Sequence, residues 1–326
     1  MFKIALIGSG FMGQYHAEAY RNIEGVELVC VFDNNLDSVQ KFAKKHNCKP
    51  ISRFKDLSKE EIDVIDICIP TPYHKNYIMK SAQFINKIIC EKPLARTLED
   101  GEAILKICEK EKIKLFVGHV VRFFPEYKKA HQIIKDGKLG KVGIVRTSRC
   151  SQFPQRKDNW FKNIAMSGGV VLDFLIHDFD FLRWCFGDVK RVYGEGLAFK
   201  KIKNADYALV TIRFKNGVIA HAEGSWMHSQ FYYGFEVAGE KGMLEYDSRN
   251  AASMNLSMTS KKKGEVNCVS ESPVKEDPYT VELRYFIYCI KNNNKPLITP
   301  YDAFKALEIS LSALESIKTG KPISFY

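Results

Sequence analysis

No apolar run in the chain approaches the roughly 18 residues that a membrane-crossing helix needs. The longest, Val64-Ile65-Asp66-Ile67-Cys68-Ile69, is strand-sized and already carries a charge. Closely spaced cysteines are also missing. The nine cysteines are spread along the sequence with none within three residues of another, so there is no CxxC pair for zinc or redox chemistry, and no metal site is expected. An odd, scattered set, with Cys68, Cys90 and Cys289 in apolar stretches, points to a reducing compartment, and the cytoplasm is the default reading. Met1-Phe2-Lys3-Ile4-Ala5-Leu6-Ile7 runs straight into glycines without a small-residue cleavage site, so no secretory leader is expected. Internal repeats and low-complexity tracts are absent. Acidic residues are the minority sign: 38 Asp plus Glu against 49 Lys plus Arg leave a formal charge of +11. The positive residues are dispersed, and the one dense run, Lys261-Lys262-Lys263, meets Gly264 as a solvated loop tip does. Such a surface suits anionic small molecules. It lacks the reading helix or stacking motif of a nucleic-acid binder.

What is present is a globular composition, 45% hydrophobic and 27% charged over 326 residues, enough for about two domains. Up to about residue 120, short apolar strands (Lys3–Ile7, Glu27–Phe32, Val64–Ile69, Lys87–Cys90, Lys114–Val117) alternate with helical stretches near 11–22, 36–46, 75–86 and 97–111. Strands apolar on both faces and separated by helices predict a doubly wound parallel sheet in an α/β fold. From 121 to 326 the rhythm changes. A helix near 125–136 precedes a long strand at 141–152, and a helix at about 170–186 follows Gly168-Gly169. Strand-like runs from 189 to 270 are then punctuated by Asn216-Gly217, Gly239-Glu240-Lys241-Gly242 and Lys263-Gly264, which predicts a mostly antiparallel sheet. Two helices, about 279–291 and 301–318, close the chain.

Gly8-Ser9-Gly10-Phe11-Met12-Gly13 follows the first strand and precedes a helix, the context in which G-x-G-x-x-G binds a dinucleotide. The glycines permit a tight turn, close approach of a pyrophosphate and close helix packing, with the helix N-terminus facing the phosphates. Asp33 lies 20 residues beyond Gly13 at the end of the second strand, placed to hold the adenosine ribose hydroxyls. Its charge opposes a 2′-phosphate, and Asn34 and Asn35 rather than an arginine follow it, so NAD is expected over NADP. Pro70-Thr71-Pro72-Tyr73-His74 ends a later strand where a ligand crevice is expected. Pro70, Thr71 and His74 are therefore cofactor candidates, with His74 equally readable as a helix N-terminal histidine.

Glu91-Lys92-Pro93 closes the fourth predicted strand, and Pro93 keeps Lys92 out of helical geometry, extended at the crevice edge. Far downstream, Asp173 and His177 are four residues apart and project from one face of a predicted helix, either as chemistry or as polar residues lining a domain contact.

Taken together, these residues resemble the Gfo/Idh/MocA oxidoreductase family. The set comprises the glycine motif, Glu91-Lys92-Pro93, Gly118 leading to Arg122-Phe123, Gly168-Gly169 with Asp173 and His177, and the closing Ser316-Ile317-Lys318-Thr319-Gly320-Lys321-Pro322. The resemblance implies an N-terminal Rossmann domain followed by an α/β domain on a large open sheet. It further implies hydride transfer between a nicotinamide and a ring carbon bearing a hydroxyl, with His177 as acid/base, Asp173 as its partner carboxylate and Lys92 as the active-site lysine. By the same resemblance Glu91 and Lys92 border the cofactor, the bond before Pro93 is often cis, and the assembly is a homodimer or homotetramer formed through the sheet. His119, Arg122, Arg149, Arg156, Trp160 and Tyr233, with Tyr232, are candidates for a polyol- or sugar-binding wall. NAD-assisted glycoside hydrolysis and a non-catalytic nucleotide sensor are the competing readings.

Overall fold

In the computed structural model, which describes residues 1–155, 160–198, 206–250, 254–259, 266–271 and 276–325, the chain divides into two compact units. Met1–Phe123 and Glu276–Phe304 form the first; Phe124–Lys275 and Lys305–Tyr326 form the second.

The first unit begins with β1 (Phe2–Ile7), α1 (Phe11–Arg21), β2 (Val26–Phe32), α2 (Leu36–His46), β3 (Lys49–Ile51) and β4 (Val64–Ile67). It continues through α3 (His74–Ser81), β5 (Lys87–Glu91), α4 (Leu98–Lys110) and β6 (Lys114–Gly118). Six parallel strands run in the order β3-β2-β1-β4-β5-β6, the doubly wound order whose switch point falls between β1 and β4. Every residue of β4 is buried, as a sheet covered on both faces demands. Polar caps set the helix starts: Asn35 accepts from the Ser38 amide below α2, and Thr97 from the Asp100 amide below α4. The strand β3, three residues long and containing Pro50, is too short to read from hydrophobic alternation and sits at the sheet edge, where proline is tolerated.

The second unit contains α5 (Pro125–Lys135), β7 (Val142–Gln152), α6 (Ile164–Ser167), a π-helical turn (Val170–Phe174) and α7 (Ile176–Phe186). Then come β8 (Val189–Ala198), β9 (Asp206–Phe214), β10 (Ile219–Ser225), β11 (Met227–Gly239), β12 (Gly242–Asp247), β13 (Met254–Thr259) and β14 (Val266–Glu271). After α8 (Pro278–Lys291), which belongs to the first unit, α9 (Pro300–Thr319) carries the chain back to the second, where β15 (Ile323–Ser324) is the last strand. The nine-stranded sheet has the order β14-β13-β12-β11-β7-β10-β9-β8-β15 and is antiparallel except where β7 pairs with β10. The Asn216-Gly217 turn joins β9 to β10, with Gly217 at φ 99°, and Gly239 pairs with Gly242 across the β11–β12 turn. In β9, Ala208, Val210, Ile212 and Phe214 are buried, while Leu209 and Arg213 face outward. The Lys261-Lys262-Lys263 run and Gly264 lie outside the described residues.

The change of rhythm at residue 121 assigns residues 276–304 to the second half; they pack with the first unit instead. Leu283, Phe286, Ile287 and Ile290 of α8 share a buried cluster with Phe2, Ile4, Ile89, Phe116 and Phe123. An apolar helical stripe announces that a partner exists but not which one. Among the described residues no helix is long and apolar enough to cross a membrane. Cys30, Cys68, Cys90, Cys108, Cys150 and Cys289 are buried and unbridged.

Candidate active site

The glycine motif forms the turn from β1 into α1. Gly8 has φ 106°, and a Cβ there would meet the Cys68 carbonyl oxygen at 2.3 Å. A Cβ on Gly13 would lie 2.0 Å from the Gly8 oxygen, so only glycine lets α1 come this close to the strand. Gly10, by contrast, faces open space, and no side chain caps the first turn of α1. Phe11 is exposed, and Met12 is half-buried beside it. One oxygen of Asp33 accepts from the Ser9 amide (2.8 Å) and the Ser9 hydroxyl (2.9 Å), and the other accepts from the Asn35 amide (3.1 Å). These bonds hold the carboxylate beside the loop. A bare cradle, an uncapped helix N-terminus and an adjacent carboxylate fit a dinucleotide diphosphate and its ribose.

Pro70 is half-buried and Thr71 buried at the end of β4. His74 is fully buried, with its ring nitrogens 2.8 Å from the Pro93 carbonyl oxygen and 2.9 Å from that of Ile69. It ties two strand-end loops together from within, which is the helix N-terminal reading rather than the crevice-facing one. Lys92 is half-buried, and its bond to Pro93 is cis. Glu91 turns inward: one carboxylate oxygen lies 3.0 Å from His16 Nε2, and the other accepts from the Lys92 amide at 3.1 Å. His16 Nδ1 is 2.7 Å from Asp66 Oδ2, which also accepts from the Tyr20 hydroxyl at 2.7 Å.

Sequence reasoning did not single out His16, Tyr20 or Asp66. Their signal was available: Asp66 is a charge inside an otherwise apolar parallel strand, and such a charge must find partners. His16, Asp66 and Cys68 are also the one group of potential metal donors among the described residues. Burial pushes the Cys68 thiol well up, so it stays protonated, and its 3.3 Å contact with His16 Nδ1 is a hydrogen bond. This is a hydrogen-bonded cluster.

In the second unit, Gly168 and Gly169 have φ 71° and 64°, and a Cβ on Gly169 would meet Asp206 Oδ2 at 2.5 Å. That oxygen accepts from the Val170 amide at 2.6 Å, capping the π-helical turn. Burial raises Asp206 to about 6, and the Val170 N–H only partly offsets this. The predicted continuous helix at 170–186 is therefore two pieces. The Leu175 amide reaches back five residues to the Val170 carbonyl (2.8 Å), and α7 starts at Ile176. Asp173, half-buried on the π-turn, and His177, 8% exposed on the first turn of α7, bracket this junction. Such wide turns recur at functional sites.

The wall candidates divide. Arg149 is buried, with Nε 2.6 Å from Asp178 Oδ2 and a terminal nitrogen donating to the Tyr127 hydroxyl at 3.0 Å. Burial works against its charge, Asp178 outweighs burial, and Arg149 remains a guanidinium. Tyr233 donates to buried Glu126 at 2.5 Å. Arg122, in the first unit, is buried and donates to the Leu297 carbonyl at 3.0 Å, and His119 near it is fully buried. Trp160 is half-buried with its ring 4.3 Å from that of Phe161. Tyr232 is half-buried beneath the Arg249 guanidinium, which lies 4.2 Å from its ring centre. Arg156 lies outside the described residues.

Residues 2–119 match the oxidoreductase family with an NAD-binding Rossmann fold, and residues 127–245 match the GFO/IDH/MocA C-terminal domain. The chain belongs to the Gfo/Idh/MocA oxidoreductase family. Among its relatives, an uncharacterized oxidoreductase, YrbE, of Bacillus subtilis is 29% identical, with 98% of this chain and 95% of the relative covered. The myo-inositol 2-dehydrogenase of Thermotoga maritima is 27% identical, with 98% of each chain covered. Among solved structures, a putative NADPH-dependent oxidoreductase from Desulfitobacterium hafniense superposes with a TM-score of 0.90 at 22% identity, over 99% of this chain and 97% of that one.

Proposed function

We propose that this NAD-binding oxidoreductase transfers a hydride between nicotinamide and a ring carbon bearing a hydroxyl, on a cyclic polyol, a sugar or a sugar derivative. The observation that carries the reading is the presence in one chain of the bare glycine cradle with Asp33 and of Lys92, Asp173 and His177. The myo-inositol 2-dehydrogenase, similar over nearly the whole length, supports the substrate class. When bound, NAD supplies the hydride acceptor. His177 takes the hydroxyl proton, a task for an imidazole because it titrates near neutrality. Asp173 orients that ring, and the Lys92 ammonium stabilises negative charge developing on the substrate oxygen. The buried, internally bonded Arg149 and Tyr233 support the wall of the second unit from behind rather than contacting the substrate.

The proposal extends to assembly as a homodimer or homotetramer through the open face of the second unit's sheet. Ile144 and Leu209 are 45% and 40% exposed there, and Arg146, His221 and Glu236 line a groove of about 570 Å³ on the same face. Light scattering then gives a multiple of 37.3 kDa; the mass of a single chain removes this extension.

The function is tested with a panel of inositols, aldoses and anionic sugars in the presence of NAD, followed at the reduced-nicotinamide absorbance. NADH accumulating with at least one cyclic polyol or sugar supports the reading. Substrate cleavage without NADH accumulation replaces it with redox-assisted hydrolysis. Cofactor binding with no turnover on any member leaves a sensor.

A further inference from the structure

The Glu91-Lys92-Pro93 turn rests on a polar cluster that the proposed chemistry does not use. His16 lies on α1, three residues after Gly13, and is fully buried. Its Nδ1 faces Asp66 in β4 at 2.7 Å, and its Nε2 faces Glu91 at the end of β5 at 3.0 Å. One imidazole thus joins the helix that starts at the glycine loop to the adjacent strands on which the crevice loops are mounted. The fold leaves room for the Glu91 carboxylate: Gly118 is its partner on β6, and a Cβ there would lie 3.1 Å from Glu91 Oε1.

Counting donors points to the state of the ring. Both nitrogens face carboxyl oxygens, and a neutral imidazole has one N–H to offer. The Tyr20 hydroxyl already donates to Asp66, and the Lys92 amide to Glu91, so two ring N–H groups complete the set of donors around the two carboxyl groups. The titratable groups around the ring are Tyr20 on α1, Asp66 on β4, Cys68 just after it, Cys90 and Glu91 on β5, and Tyr279 on α8 at 6.2 Å between ring centres. Glu282 on α8 acts on both tyrosines. All are acids or neutral groups, and none competes as a cation. Burial opposes a charge on His16, but the Asp66 carboxyl group beside Nδ1 outweighs it and raises the ring well above its ordinary range.

We propose that His16 is a positioning residue: a standing imidazolium that clamps Asp66 and Glu91, and through Glu91 fixes the backbone at Lys92 relative to the glycine-loop helix. This rests on the reading of Lys92 as the lysine of the reaction. Without the clamp, the Lys92 amide loses its fixed acceptor, and the lysine wanders although the nucleotide loop is intact.

The test uses the full chain with ¹⁵N-labelled histidine and needs no substrate. At pH 7 the two His16 ring nitrogens should both carry protons. The signals are assigned by their loss in His16→Gln or, should that variant not fold, by their shift in Tyr20→Phe. Hydrogen exchange at the Lys92 amide should rise about tenfold or more in His16→Gln, and likewise in Glu91→Gln, with the Ile88 amide in the same strand unchanged. One unprotonated ring nitrogen at pH 7 overturns the proposal, as does unchanged Lys92 exchange in a folded variant, an equal rise at Ile88, or replacement of the ring protons by added Zn²⁺. If the dehydrogenase reading fails on the substrate panel, these signals still decide the state of His16; if they fail, the panel result is untouched.

Discussion

Asp33 shows how one carboxylate can select a cofactor. Its oxygens are occupied by the Ser9 amide and hydroxyl and the Asn35 amide, so it does not swing aside to admit a phosphate. NAD should therefore bind more tightly than NADP by well over tenfold, since a 2′-phosphate would meet a fixed like charge. Asp33→Ser combined with Asn34→Arg should reverse that preference, measured as the ratio of the two dissociation constants by fluorescence of the reduced cofactors. Equal affinity of the unaltered protein for both would end the argument. At His177 the expectation concerns rate. His177→Ala should reduce turnover by about 10²–10⁴ while NADH binding, a property of the first unit, stays within twofold or so. A variant that melts early yet turns over at nearly the normal rate would instead make His177 a structural residue.

At the scale of elements, the Gly168-Gly169 turn and the π-helical turn after it depend on a single carboxylate from a distant strand. Asp206 carries a pKa of about 6 in the folded protein, above its value of roughly 4 in an unfolded chain. The folded state therefore holds a proton at pH values where the unfolded chain has lost it. The contribution is fully present below about pH 4, falls away as pH rises to about 6, and is worth on the order of 3 kcal/mol across that window. Asp206→Asn keeps an acceptor for the Val170 amide and abolishes the titration. Its melting temperature should vary less between pH 4 and 7 or so than that of the parent, and matching profiles would show that Asp206 titrates elsewhere. Asp206 also shows where sequence reading stops. The glycine loop, Asp33 and the Glu91-Lys92-Pro93 turn were legible because each is a local pattern tied to a strand end. The bond from Asp206 to Val170 spans 36 residues and follows no periodicity. The π-turn was invisible for a different reason: five residues wound slightly wide have the same apolar spacing as an α-helical turn. The wall candidates rest on residue type alone, and type does not say that Arg149 directs its donors to Asp178 and Tyr127.

For the whole molecule, the chain passes between its two units three times, at Phe123–Phe124, Lys275–Glu276 and Phe304–Lys305. The nucleotide-binding unit is thus not a contiguous piece of sequence. A fragment ending at residue 123 would leave Phe2, Ile4, Phe116 and Phe123 without the α8 side chains that bury them, and it should aggregate or bind NADH poorly. Adding residues 276–304 through a flexible linker should restore a soluble, cofactor-binding unit, assayed by circular dichroism and NADH fluorescence; a well-folded 1–123 fragment would refute this. The same arrangement sets a timetable for synthesis. Domains usually fold in the order in which they emerge, but here the earliest strands wait for Phe286 and Ile290, near the far end of the chain. The second unit's strands β7 to β14, made in between, have no such wait for α8, and only β15 joins them after it. The half of the protein that is written first is completed late, and until α8 arrives Phe2, Ile4, Phe116 and Phe123 are an apolar surface that a growing chain must keep from its neighbours.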